Sequence, residues 1–304
     1  MKFQYDKRNM MFGNAGSIKD PEALELLKFS MSDVNCLQHE NIHRTFVHEY
    51  KNWIQSSNNN SIKGINNFEH AVISNGTTEA FDKFYMKNHN RRFRCFKGEY
   101  MYHRLVWRNH WPTWQFLEEG PLCETDAVVI SYPFANTGNK HHRMDSLLAT
   151  CDELGIPVLL DCAYFGVCSG IDIDLNHDCI TDVTFSLSKS FPVAHLRIGM
   201  RLTRTDDDDP LFVLNHGGYV NRLSSSVGLD FINKFSPDYI YNKYKNQQLE
   251  FCKFLGVIPS QTVLFGLGGD EWMEYERGSD INRLSFHRQL HMDFEEFKKE
   301  YVKG

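Results

Sequence analysis

The feature that most constrains the fold is a pair of continuous apolar segments with a helical pattern between them. Residues 127–134 (AVVISYPF) and 156–167 (IPVLLDCAYFGV) flank a predicted helix over residues 145–154. Apolar residues follow one another in these segments instead of alternating with polar ones, which indicates strands that are covered on both faces. A strand, a helix and a second buried strand form a β-α-β unit, so we predict a mostly parallel sheet.

Similar segments extend this pattern in both directions. We predict further strands at residues 71–74, 94–96, 183–187, 262–267 and 283–287. The predicted fold class is therefore α/β, with a mostly parallel sheet sandwiched by helices and a smaller α+β domain. The predicted division is an N-terminal arm or part of the small domain (1–61), a large domain (62–226) and a C-terminal small domain (227–304). In the first part, the sequence predicts one helix, over residues 20–29.

Charge and hydropathy exclude several classes of function. The 304 residues carry a net charge of −6, whereas a general nucleic-acid binder has a strongly basic surface. No apolar stretch reaches the roughly 18 residues that a spanning helix needs, and the N-terminus lacks the apolar core of a signal peptide. We therefore expect a cytoplasmic protein that binds neither nucleic acid nor membrane.

Polar residues follow the predicted strands at positions where parallel sheets bind ligands. The strand at 71–74 is followed by Asn75-Gly76-Thr77-Thr78, a glycine turn that leads into a helix. Free backbone N–H groups, the helix dipole and the threonine hydroxyls favour an anion there. A plain capped helix start accounts for the same residues, so the turn alone leaves both interpretations open.

Two further strand ends carry an aspartate and a lysine. Asp161 ends the segment PVLL, where a carboxylate at low dielectric needs a partner such as a protonated ring nitrogen, unless it caps the next turn. Lys189 follows Ser186-Leu187-Ser188, and Arg197 lies eight residues beyond it. A lysine whose pKa is lowered by burial or nearby positive charge forms a Schiff base with an aldehyde. A solvated surface lysine is the commoner alternative.

The order of these elements resembles a known family. The series NGTTEAF, PFANTG, PVLLDCAY and SLSKSF followed by LRIG is similar to class I/II aminotransferases, which are fold-type I pyridoxal-phosphate enzymes. The resemblance covers about residues 70 to 200. It implies pyridoxal 5′-phosphate as cofactor, an amino acid and a keto acid as small-molecule partners, and a homodimer.

The resemblance also implies roles for individual residues. Lys189 would form the Schiff base with the cofactor and move the substrate proton, while Asp161 would pair with the ring nitrogen. Tyr164 would hydrogen-bond the phenolic oxygen of the ring. Tyr100 would stack on the ring, with Tyr102 as the alternative.

The remaining implied contacts are with phosphate, ring oxygen and substrate. The phosphate would be bound by Gly76, Thr77, Thr78, Ser186, Ser188 and Arg197. The ring oxygen would be contacted by Asn136 or a neighbour. The choice between them is open because this chain reads Ala-Asn-Thr-Gly where the family reads Asn-Pro-Thr-Gly, which displaces the asparagine by one residue. Arg283, in a segment similar to the one that binds the substrate α-carboxylate, would bind that group.

Three alternative functions remain at this stage. A decarboxylase or lyase on the same scaffold differs only in which bond at the substrate Cα breaks. A non-catalytic relative would have lost the lysine, the aspartate or the arginine, and all three are present. A more remote alternative is a zinc metalloprotease, since His39-Glu40-Asn41-Ile42-His43 matches HExxH. For the aminotransferase interpretation we predict that the site binds no metal.

Overall fold

The computed structural model of the chain describes residues 10–32, 38–110, 113–206 and 209–303. The helices are α1 (Pro21–Ser32), α2 (Ile42–Gln55), α3 (Gly76–Lys87), α4 (Met101–His110), α5 (Met144–Leu154), α6 (Pro210–His216), α7 (Arg222–Lys234), α8 (Tyr239–Leu255) and α9 (Phe294–Lys303). The strands are β1 (Ser61–Lys63), β2 (His70–Asn75), β3 (Arg92–Cys95), β4 (Trp114–Phe116), β5 (Asp126–Ser131), β6 (Val158–Asp161), β7 (Asp172–Asp174), β8 (Ile180–Ser186), β9 (Ile198–Thr203), β10 (Ile258–Pro259), β11 (Phe265–Gly268) and β12 (Asn282–Ser285).

A seven-stranded sheet in the order β2-β9-β8-β6-β5-β3-β4 organises the molecule. Its strands β8, β6, β5, β3 and β4 pair in parallel, whereas β9 pairs antiparallel with both β2 and β8. The predicted fold class, a mostly parallel sheet between helices, is thereby confirmed. The predicted β-α-β unit is formed by β5, α5 and β6.

Strand β5 shows why its sequence is continuously apolar. Ala127 and Val129 pack in a cluster with aromatic residues of α3 and α4, and Val128 and Ile130 belong to the larger core on the other side of the sheet. All four side chains are fully buried. Because successive strand residues point to opposite faces, a strand that is covered on both faces needs apolar residues at consecutive positions.

The first 61 residues contain a helix that the sequence reading did not predict. Helix α2 buries an aromatic stripe that includes Phe46, Tyr50 and Trp53, and it packs against α7 and β2. These residues recur at intervals of three and four, but His, Lys and Asn on the opposite face make the segment polar on average. Helix α1 coincides with the predicted N-terminal helix, apart from a few residues at its ends.

Two small sheets complete the fold. Strands β10, β11 and β12 form an antiparallel sheet, and β1 pairs in parallel with β7. The N-terminal segment joins the antiparallel sheet, because the Ser285 N–H donates to the carbonyl of Phe12 over 2.9 Å. In the part of the chain that the structure describes, no helix combines the length and apolarity needed to cross a membrane. The three-part domain division stays a prediction.

Candidate active site

A cavity of about 270 Å³ opens where β6 and β8 end, beside the start of α3. Ten of the twelve site residues predicted from sequence line it. They are Thr77, Thr78, Tyr100, Asp161, Tyr164, Ser186, Ser188, Lys189, Arg197 and Arg283. The carboxyl ends of parallel strands meet at one edge of a sheet, so residues far apart in sequence converge here.

Lys189 lies in the turn after β8 and extends into this cavity. Its Nζ donates a hydrogen bond of 2.5 Å to the carbonyl of Ala15 and lies 5.8 Å from the centre of the Tyr164 ring. Burial lowers the pKa of the Lys189 amine below its usual value, and the nearby Arg283 cation acts in the same direction. A depressed pKa enlarges the neutral, nucleophilic fraction of a lysine.

Asp161 is the last residue of β6, and its side chain is 5% exposed. One carboxyl oxygen accepts a 3.0 Å hydrogen bond from the Ala163 N–H. Burial, followed by the negative charge of Glu99, raises the pKa of Asp161 to about 7. A cationic partner in the cavity would reverse this shift, because it favours the ionised carboxylate.

The turn between β2 and α3 forms the end of the cavity where an anion site was predicted from sequence. Arg197 donates from one terminal nitrogen to the carbonyl of Asn75 (3.2 Å) and to the hydroxyl of Thr78 (3.1 Å). Gly76 has a φ of 69°, and a Cβ there would collide with the Arg197 guanidinium. The turn, the helix N-terminus and the guanidinium together favour binding of a phosphate.

Two serines at the end of β8, Ser186 within the strand and Ser188 just after it, extend this polar end of the cavity. The Ser186 hydroxyl lies 2.9 Å from the hydroxyl of Ser188 and 3.0 Å from the carbonyl oxygen of Ile198 in β9. The Ser188 N–H in turn donates to the Ser186 oxygen over 3.1 Å. These bonds order the backbone immediately before Lys189.

Arg283 in β12 brings the small antiparallel sheet to the cavity. It is 4% exposed, donates a 2.7 Å hydrogen bond to the carbonyl of Ala135 and lies 4.4 Å above the Phe265 ring. Its buried Nε has no hydrogen-bond partner among the described residues. Burial and the neighbouring Arg277 cation lower the pKa of Arg283 to about 9. The group therefore remains charged at neutral pH. It forms an ion pair with none of the carboxylates in the described part of the chain.

Two predicted residues, Gly76 and Asn136, do not line the cavity. Gly76 acts through Arg197, as described above. Asn136 is fully buried, and its Nδ2 donates to the Ser279 hydroxyl (2.6 Å) and the Ile281 carbonyl (3.1 Å). It thus ties the loop after β5 to the segment before β12, and its Oδ1 lacks a partner among the described residues. A direct contact of Asn136 with a ligand stays a prediction.

The two tyrosines considered for stacking lie in different places. Tyr100 lines the cavity, whereas the Tyr102 hydroxyl donates to Asp82 over 3.0 Å on α3. Their rings are stacked with centroids 6.1 Å apart. Tyr102 is not part of the cavity lining, and stacking of Tyr100 on a cofactor ring stays a prediction.

The sequence reading missed several residues of the cavity. Asn14, Ala15 and Gly16 line it, and so does Arg277. Glu99 lies behind it, fully buried, where it accepts hydrogen bonds from the Ser131 hydroxyl and N–H and from the Tyr100 N–H. For the N-terminal segment, the turn-forming sequence Asn-Ala-Gly was the one local feature that could have indicated a place in the site. A single Glu or Arg outside a recognisable motif gives no such indication.

The HExxH match does not have the geometry of a zinc site. Helix α2 begins at Ile42, so His39 and Glu40 precede the helix and cannot share one of its faces with His43. His43 is 2% exposed and its Nε2 hydrogen-bonds the Asn215 carbonyl over 3.0 Å. Among the described residues no group of His, Cys, Asp and Glu could hold a metal ion.

Comparison with known proteins shows which structures share this architecture. No protein-family model matches the chain, and no curated protein does. An aminotransferase from Staphylococcus aureus superposes with a TM-score of 0.67 at 12% identity, over 95% of this chain and 91% of that one.

Two further solved structures superpose over most of their length. The L-threonine-O-3-phosphate decarboxylase of Porphyromonas gingivalis gives a TM-score of 0.66 at 17% identity, over 95% of this chain and 98% of that one. The PLP-bound C-S lyase of Staphylococcus hominis gives 0.64 at 10% identity, over 95% and 89%. The chain therefore has the aminotransferase-like fold of the fold-type I pyridoxal-phosphate enzymes.

Proposed function

We propose that this chain is a pyridoxal-phosphate-dependent aminotransferase that transfers an amino group from an amino acid to a keto acid. One observation carries the proposal. A lysine with a lowered pKa, a buried carboxyl group and an arginine-bearing phosphate turn converge on one cavity, although Asp161, Lys189 and Arg197 come from different strand ends. The shared fold with an aminotransferase supports the same reading.

The residues of the cavity fit the cofactor. Its phosphate would be held by the α3 N-terminus with Thr77, Thr78 and Arg197, where Gly76 leaves room for the guanidinium. Asp161 would pair with the ring nitrogen, and Tyr164 lies beside the lysine to bind the ring oxygen. Burial and the negative charge of Glu99 raise the pKa of Asp161, which marks a carboxyl group that a cationic N–H beside it would stabilise in its ionised form.

When bound, the cofactor supplies an aldehyde and an electron-withdrawing ring that stabilises negative charge at the substrate Cα. Lys189, whose lowered pKa favours the neutral amine, would hold the cofactor at its aldehyde, and its free amine would carry the proton between the substrate Cα and its acceptor. Asp161 would hold the protonated ring nitrogen. Arg283, with an unused Nε, orients the substrate through its α-carboxylate.

The first test compares wild type with Lys189→Ala after addition of pyridoxal 5′-phosphate. We expect a visible absorbance band that amino acids change in wild type, and loss of both band and amino-group transfer in the variant. Lys298→Ala, on the surface of α9, is the control and should behave as wild type. A band that is unchanged in Lys189→Ala would contradict the proposal.

A decarboxylase is the second candidate, because the decarboxylase from P. gingivalis shares the fold over nearly its whole length. Both reactions begin with the same lysine and differ in the bond that breaks at Cα. Product analysis separates them. A keto acid in stoichiometric yield indicates transamination, and carbon dioxide together with an amine indicates decarboxylation.

A further inference from the structure

Arg277 is a third guanidinium in the cavity, beside those of Arg197 and Arg283, and the proposed roles leave it without a partner. It precedes β12 and lines the cavity together with Arg283. Its Nε is buried and hydrogen-bonds to none of the described residues, and none of their carboxylates forms an ion pair with it. An unpaired guanidinium in a partly desolvated position is costly, so such groups usually face a ligand or a charged partner.

The groups that face Arg277 do not neutralise it. Its charge interacts with the phenols of Tyr164 and Tyr100, with the cation of Arg104 and with Glu99. Of these, only Glu99 is a carboxyl group, and its oxygens accept three hydrogen bonds from Ser131 and Tyr100. Among the described residues, Arg277 therefore has one distant countercharge, Glu99, and no carboxylate in direct contact.

The charges of the cavity lead to the same conclusion. Its lining includes four cationic side chains, Lys189, Arg197, Arg277 and Arg283, and one carboxyl group, Asp161. The proposed function uses Lys189 and Asp161 in the chemistry, Arg197 for the cofactor phosphate and Arg283 for the substrate α-carboxylate. One guanidinium then remains, next to Arg283, with which it interacts electrostatically.

We infer that the substrate is an amino acid with a second anionic group, carboxylate or phosphate, on its side chain, and that Arg277 binds that group. This inference rests on the proposed function. The planar fork of a guanidinium binds either anion with two parallel hydrogen bonds, and a neutral side chain would leave the cation buried and unpaired. Recognition therefore acts against neutral amino acids as well as in favour of acidic ones.

The test measures kcat/KM for matched pairs of amino acids, glutamate with glutamine and O-phosphoserine with serine. In wild type we expect the anionic member of at least one pair to be preferred by about 100-fold, the scale of a desolvated charge pair. Arg277→Leu should abolish most of that preference, and Arg277→Lys should retain part of it. The pair that shows the preference identifies the anion as carboxylate or phosphate. Arg44→Leu, on α2 and outside the cavity, is the matched control and should keep the preference.

Binding gives a readout that does not depend on turnover. Glutarate should raise the Tm of the wild-type holoenzyme more than butyrate does, by about 1–3 °C, and this difference should disappear in Arg277→Leu. If O-phosphoserine is the preferred substrate, phosphoglycolate replaces glutarate. A folded Arg277→Leu protein with the wild-type preference and the wild-type shifts would overturn the inference while leaving the proposed function intact. Absence of a Lys189-dependent absorbance band would overturn both.

Discussion

Asp161 lines the cavity and Glu99 lies behind it, and the protonation of these two carboxyl groups is linked. Glu99 is fully buried, and burial raises its pKa despite three hydrogen bonds that favour the ionised form. Its negative charge is in turn the second cause, after burial, of the raised pKa of Asp161. A cavity that contains four cations therefore also holds a carboxyl group whose charge depends on what binds beside it.

The first residue-scale prediction concerns the pH dependence of stability of the cofactor-free protein. The folded-state pKa of Asp161 is about 7, against 3.8 for an ordinary aspartate. Between these values the folded state binds more protons than the unfolded state, so the contribution of Asp161 to stability is present below pH 4 and is lost as the pH rises through 7. Asp161→Asn should therefore raise the free energy of unfolding at pH 8 by about 1–4 kcal/mol, with no gain near pH 4.

Urea denaturation at the two pH values measures this difference. Asp145→Asn, on the exposed start of α5, is the control and should show no gain at pH 8. Equal stability of wild type and Asp161→Asn at pH 8 would show that ionisation of Asp161 does not destabilise the folded state. With cofactor added, we expect the sign to reverse, because the uncharged amide of the variant cannot neutralise a cationic ring nitrogen.

At the scale of elements, the close approach of β9 to the start of α3 shapes the turn at residues 75–78, the proposed phosphate site. Strand β9 pairs antiparallel with β2, with Gly199 opposite Ser74 and Ile198 opposite Asn75. Arg197, just before β9, has a φ of 56° and reaches the turn from this strand. A Cβ at Gly199 would lie 2.7 Å from the Gly76 backbone, so only glycine permits this approach.

Gly199→Ala should therefore separate β9 from the turn. We expect a loss of about 1–3 kcal/mol in the free energy of unfolding, typical of overpacking against backbone, and weaker binding of the cofactor phosphate. Thermal unfolding and cofactor titration measure the two effects. The control is Gly120→Ala, where the nearest atom to an added Cβ is 3.5 Å away, and a change below about 0.5 kcal/mol is expected. A Gly199→Ala protein with unchanged stability and unchanged cofactor binding would show that the sheet accommodates the added Cβ at this position.

At the scale of the whole molecule, the N-terminal segment connects the small antiparallel sheet with the cavity. Phe12 is 1% exposed and contacts the rings of Trp272, Tyr275 and Phe286. Three residues later, the carbonyl of Ala15 accepts the hydrogen bond from Lys189. The packing of the C-terminal part therefore positions a backbone carbonyl at Lys189.

Phe12→Ala should consequently affect both stability and the site. Removing a buried aromatic ring costs about 3–5 kcal/mol, and a displaced Ala15 carbonyl would alter the environment of the Lys189 amine. We expect a lower Tm and a shifted pH dependence of cofactor binding. Phe254→Ala, at a position 41% exposed, should lower the Tm less and leave the pH dependence unchanged. A Phe12→Ala protein with lower stability and an unaltered pH profile would show that the segment is only structural.

Local sequence was enough to predict five of the seven strands of the large sheet, all but β4 and β9, and most of the candidate site. The consecutive apolar residues of β5 and β6 report burial on both faces, and the residues after a parallel strand must lie at the ligand edge. Asp161, Lys189 and the threonines of α3 could therefore be found from their positions next to strands. Helix α2 escaped prediction because its aromatic stripe is diluted by polar residues on the other face.

What the tertiary structure alone decided is which distant residues complete the cavity. Glu99 and Arg277 carry no local signature, and residues 14–16 carry only a turn-forming composition. Residues 14–16 and Arg277 reach the cavity, and Glu99 its back, through packing in the folded chain. Lys189 illustrates the division. Its position after β8 identifies it as a candidate nucleophile, whereas burial and the nearby Arg283 cation, which lower its pKa, arise only in the folded chain.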